Sequence, residues 1–64
     1  MLSKEDLSRI DWIVEKATLA QDKLTSWERS FLQDVFDRRG RLSARMTMSE
    51  RQWEILEAIG GKAI

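Results

Sequence analysis

The sequence predicts a small all-α protein, three helices forming a single domain over residues 1–64. Three observations predict it. Capping signals stand at three places, Ser3 with Asp6, Thr25 with Glu28 and Ser49 with Gln52; in each, a hydroxyl can take an orphan backbone N–H while the residue three places on reaches back. Apolar residues after each signal recur at helical spacing. The chain has no proline, no run that reads as a strand, no low-complexity stretch and no internal repeat.

The first helix is expected over about 4–21. Ser3 is a good N-cap, and Leu2 and Leu7 fit the hydrophobic-staple positions. Leu7, Ile10, Ile13, Val14 and Ala17 form one apolar stripe, and Trp12 and Leu19 lie together on nearly the opposite side. A helix with two apolar faces either has both wrapped within the fold or presents one to a partner or a second copy, and a chain this short has few elements with which to cover the second. A homodimer through Trp12 and Leu19 is one such arrangement.

The second helix is expected over about 26–39, after the short connection Asp22–Leu24. It holds Trp27 and both phenylalanines, Phe31 and Phe36. At about 100° per residue, Trp27, Phe31 and Val35 fall near one line with Leu32 and Phe36 beside it. So wide an apolar face suits a central helix with the flanking segments packed on it, which places Trp27 in the core. Gly40 is the expected C-cap, with Arg38 and Arg39 at the negative end of the helix dipole. An arginine-rich connector follows: Arg38 to Met48 holds four arginines and no acid, and reads mostly as loop. It is either a solvated loop or a contact for phosphate or an acidic protein surface. It has no interleaved aromatic for stacking single-stranded bases.

The third helix is expected over about 50–59, with Met48 and Trp53 as its staple and Trp53, Ile55, Leu56 and Ile59 facing inward. Gly60-Gly61 is the expected stop, followed by a frayed tail.

Composition narrows the chemistry. A chain of this length buries only about 60% of the surface it exposes unfolded, so it needs a dense core or a staple. It has no cysteine and no histidine, which removes disulfides and ordinary zinc sites. Lys4, Glu5 and Asp6 do not suit a signal peptide, and no apolar run approaches the roughly 18 residues of a membrane span. A soluble intracellular protein without a membrane partner is expected. Net charge is zero but divided: residues 1–37 carry five basic and eight acidic side chains, residues 38–64 six basic and three acidic. Any nucleic-acid contact must therefore come from one region.

Catalysis is not expected. His, Cys and Tyr are absent, and general acid–base work usually leans on one of these or on carboxylates paired in a pocket. Asp11, Glu15, Asp22, Asp34 and Asp37 read as a solvated face, and there is no glycine-rich phosphate loop. No catalytic residue, metal or cofactor is assigned.

Two segments, Leu24-Thr25-Ser26-Trp27-Glu28-Arg29-Ser30-Phe31-Leu32 and Met48-Ser49-Glu50-Arg51-Gln52-Trp53-Glu54-Ile55-Leu56-Glu57-Ala58-Ile59, stand in order along residues 24–59. The arrangement resembles a helical-hairpin pattern of small phage and prophage proteins and of some replication- or recombination-associated proteins: L-[ST]-x-W-E-x-x-F, a basic connector, then L-S-x-[KR]-Q-x-x-[IV]-L-x-x-I. Met48 stands where the pattern has leucine, and the connector is longer. The resemblance leaves the first helix uncovered and carries over no catalytic residue. It implies a phage-related origin, hence the cytoplasm of a bacterial host, and a short modulator or inhibitor of a host complex, as anti-CRISPR proteins are.

Two functions follow. As a protein-binding module, the chain docks on a host or phage protein or nucleoprotein complex through Trp12, Leu19 and Arg38, Arg39, Arg41 and Arg45, since interface hot spots are enriched in Trp and Arg. As a helix-turn-helix-like DNA binder, it enters the major groove with the third helix, Arg51 reading guanine and Gln52 adenine, with Arg38, Arg39, Arg41 and Arg45 on phosphates. Against the second stand the length of the connector and the acids Glu50, Glu54 and Glu57 on the recognition helix.

Overall fold

A computed structural model describes residues 2–64. It is an all-α, three-helix domain: α1 (Lys4–Leu19), α2 (Ser26–Leu42) and α3 (Glu50–Ala63), with 3-10 turns at Gln21–Lys23 and Ser43–Arg45. Among the described residues there is no strand.

Each helix begins where its local chemistry says. The Ser3, Thr25 and Ser49 hydroxyls accept from the backbone N–H of Asp6, Glu28 and Gln52, each at 3.1 Å. The three reciprocal bonds, from the N–H of Ser3 to Asp6 and from those of Thr25 and Ser49 to Glu28 and Gln52, measure 3.2, 2.9 and 2.9 Å.

The helix ends differ from expectation. α1 stops at Leu19, α2 continues through Gly40 to Leu42, and α3 continues through Gly60 and Gly61 to Ala63. A glycine ends a helix by taking positive φ, and none of these does. The turn after α2 is made by Ser43, at φ 51°, a conformation that carries strain in any residue but glycine. The arginine-rich connector is correspondingly short: Arg38, Arg39 and Arg41 belong to α2, and Arg45 closes the 3-10 turn.

The core lies mainly between α1 and α3, which pack on each other more extensively than either does on α2. Ile10, Ile13 and Ala17 of α1 meet Leu56 and Ile59 of α3, and Leu24, Leu32, Val35 and Met46 complete the buried set. Gly60 lies where α3 packs on Ile13 of α1. A Cβ there would sit 3.4 Å from both γ carbons of Ile13, which is itself fully buried. Gly60→Val is therefore expected to destabilise the fold by about 1–3 kcal/mol, the range for overpacking. Gly61→Ala, whose methyl meets open space, serves as the control and should not lower the thermal midpoint followed by circular dichroism.

α2 is thus not the central helix. It buries only Leu32 and Val35, and Trp27 is 60% exposed, contrary to the core placement its spacing suggested. The reason is geometric: a step of four residues advances about 40° around a helix, so the line from Trp27 through Phe31 to Val35 begins on the surface and winds inward. The Trp27 ring stacks on Phe31 instead, with centroids 5.7 Å apart and planes at 15°.

One two-point ion pair joins each pair of helices. Arg9 holds Glu57 between α1 and α3 at 2.7 and 3.2 Å. Arg39 holds Asp11 between α2 and α1 at 2.9 and 3.2 Å. Lys62 holds both oxygens of Glu28 between α3 and α2 at 2.8 Å. These are surface pairs, individually weak, but they fix how the helices sit around the core.

Two of these carboxylates have their acidity changed. The Lys62 hydrogen bond, then the Thr25 N–H, lower the Glu28 pKa below its ordinary 4.5. The Arg9 hydrogen bond does the same for Glu57. A carboxylate whose folded pKa is depressed adds stability that is complete above the unfolded value and disappears as pH falls through the folded one. Thermal stability is therefore expected to decline on acidification from about pH 4.5 downward. Glu57→Gln should shallow that decline in melts recorded across the acid range.

Candidate functional site

The residues singled out by the sequence separate into those the fold uses and those it leaves free. Trp12 and Leu19 fall in the second group, on the side of α1 away from Ile10, Ile13 and Ala17. Trp12 is 38% exposed and Leu19 77%. Trp12 does not project alone: the Arg9 guanidinium lies over its ring at 5.1 Å, a cation–π contact. Because the same guanidinium grips Glu57, the indole is backed by a side chain that α3 holds in place. An aromatic fixed in this way loses little conformational freedom on binding.

The arginines divide. Arg38 lies against the connector, its Nη2 at 3.6 Å from Met48 Sδ. Its Nε is 3.4 Å from Asp34 but buried without a hydrogen-bond acceptor. Arg39 is committed to Asp11. Both act inside the chain. Arg41 and Arg45 are exposed and make no ion pair among the described residues. Arg51 is exposed with a long contact to Glu54, 3.5 Å. The Gln52 side-chain oxygen accepts from the Ser49 N–H, so its amide is used as a cap. Of the residues considered for nucleic acid, only Arg41, Arg45 and Arg51 keep exposed, largely uncommitted guanidinium groups.

Sequence reasoning missed a groove between α1 and α2, of about 500 Å³. Val14, Leu19, Phe36 and Gly40 make its apolar wall, and the Asp11–Arg39 pair stands at its rim. Phe36 is 52% exposed here. The only sequence signal was its position one residue beyond Val35, which turns it about 100° from the buried line. The groove does not include Trp12, so the face of α1 has two parts: an outer indole, and Leu19 at the groove edge.

Among the described residues, no group of three or more carboxylates is placed to hold a metal ion, and no helix is long and apolar enough to cross a membrane. Compared with protein-family models, curated proteins and solved structures, the chain matches none.

Proposed function

We propose that the chain is a small non-enzymatic binding protein that docks on a host protein or nucleoprotein complex and modulates or inhibits it. One observation carries the reading. The apolar core closes without Trp12 and Leu19, so both stand on the outer side of α1. An indole held by Arg9, with an exposed leucine two turns along the same helix, is the kind of anchor that interface hot spots use. Arg41 and Arg45 add uncommitted positive charge near the α2–α3 end, suited to an acidic surface on the partner.

The helical-hairpin resemblance gives this reading its setting: a phage-type protein acting in the bacterial cytoplasm, with an anti-defence inhibitor of the anti-CRISPR kind as the specific version. Occupying a site on a host complex requires surface rather than chemistry, which suits a chain without histidine, cysteine or tyrosine.

Affinity capture from a bacterial lysate, with and without nuclease, tests the reading. A protein retained in both arms is the expected result. Loss of everything on nuclease treatment would favour direct DNA binding through Arg41, Arg45 and Arg51. Retention on a DNA column should then fall steeply with salt and vanish in the Arg41→Ala, Arg45→Ala double variant.

A further inference from the structure

We propose that α2 carries a self-association seam, on which a second copy of the chain lies antiparallel with Phe36 of each copy seated in the groove over Gly40 of the other. This goes beyond the partner-docking reading and is centred on a different helix: the seam shares Leu19 and Arg41 with the docking face, but Trp12 lies outside the groove.

Gly40 is the first observation. It sits inside α2 with ordinary helical backbone, where glycine is less favourable than alanine. A Cβ built on it meets nothing within 4 Å. Gly60, by contrast, has Ile13 packed against it. Neither backbone conformation nor packing within the chain calls for glycine at position 40; what its missing side chain leaves is a notch in the groove wall.

Phe36 is the second. It lies one turn before Gly40, lines the same groove and is half exposed. A knob and a notch four residues apart on one helix complement themselves about a two-fold axis between them. Each Phe36 then falls over the Gly40 of the second copy, the isologous arrangement of a two-fold dimer. Leu19, at the groove edge, adds apolar area on the α1 side.

Charge is the third. From Ser26 to Asp37, α2 carries Glu28, Asp34 and Asp37 against Arg29 alone; from Arg38 to Leu42 it carries Arg38, Arg39 and Arg41 and no acid. Glu28, Asp34, Arg38 and Arg39 are paired within the chain, which leaves Asp37 and Arg41 as the charges of this stretch that an antiparallel overlay can pair between copies; the overlay also opposes the helix dipoles. Among the described residues, Asp37 accepts only from the Gln33 amide, and Arg41 has no ion-pair partner. Both lie on the flank of the seam away from α1, and the same axis brings Asp37 within a turn of Arg41 of the second copy. A standard interface buries roughly 800 Å² per partner, under a fifth of the chain's 4346 Å² surface.

Sedimentation equilibrium of the purified chain tests this directly. The expected mass is twice the 7.5 kDa of one chain. Gly40→Leu fills the notch from a position open within the chain, so it should leave the circular dichroism melt no lower while weakening dimerisation at least about tenfold; Phe36→Ser should weaken it similarly. Arg41→Asp should also weaken the dimer, and adding Asp37→Arg should restore it. A wild-type chain that stays monomeric up to about 1 mM overturns the proposal, as does a dimer indifferent to Gly40→Leu and Phe36→Ser. No partner enters this experiment, so a monomer leaves docking through Trp12 standing, and failed partner capture leaves the seam standing.

Discussion

Ile13→Ala is expected to unfold most of the protein at ordinary temperature, whereas Trp27→Ala leaves it folded. Ile13 is fully buried on α1 and faces Gly60 of α3. Truncating such a side chain removes its transfer energy and leaves a cavity, together about 2–5 kcal/mol. A core of this size rarely supplies more than about 3–5 kcal/mol in total, so one substitution can consume the margin. Trp27 is the larger residue and the more conspicuous in the sequence, yet it is mostly exposed. Its visible contact is the stack on Phe31, and such pairs contribute about 0.5–1.5 kcal/mol beyond area burial. Urea unfolding of the two variants decides the matter. A folded Ile13→Ala beside an unfolded Trp27→Ala would put the core on α2 rather than between α1 and α3.

Met46→Ala is expected to have the second largest effect, again about 2–5 kcal/mol. Met46 is the one fully buried side chain of the segment joining α2 to α3. It follows directly on the 3-10 turn and leads into the extended residues before Ser49. The turn itself is strained at Ser43, and Met46, with Leu42 and Met48 packed beside the core, holds this connection in place. Removing it should loosen the stretch around Arg45 before the helices separate. Limited trypsin digestion would show cleavage at exposed Arg45 rising in Met46→Ala well below its melting temperature. Unchanged cleavage and an unchanged melt would mean that the connection is held by other contacts.

The features legible in the sequence were those decided within a few residues. The three helix starts are written in Ser3, Thr25 and Ser49, because a capping box closes over three positions. The inner stripe of α1 was legible at Ile10, Ile13 and Ala17, and that of α3 at Leu56 and Ile59, since each helix has one dominant apolar line. α2 was misread because its apolar residues are spread over more of the circumference than the fold can cover, and periodicity does not say which edge is left out. Helix ends were misread for a related reason. Gly60 serves packing and Gly40 serves nothing inside the chain, so neither is a stop. The arginines were the least legible part of the candidate site. Arg39 looked free beside its neighbours because Asp11 lies 28 residues away, and Arg9 pairs across 48 residues with Glu57. Contacts of that range follow from the tertiary arrangement, which local pattern does not encode. Trp12 and Leu19 were correctly seen to share the side of α1 away from its core stripe; the Arg9 clamp on the indole and the neighbouring groove emerged only with the fold.

If the protein acts by docking, the outer side of α1 must carry the affinity. The direct measurement is the dissociation constant of the captured partner for the wild-type chain and for Trp12→Glu, at matched circular dichroism. Trp12 is absent from the buried core, so the variant should fold. It should lose at least about tenfold in affinity, as expected when a hot-spot aromatic is replaced by a charge. Undiminished affinity in a folded Trp12→Glu would contradict docking through this face.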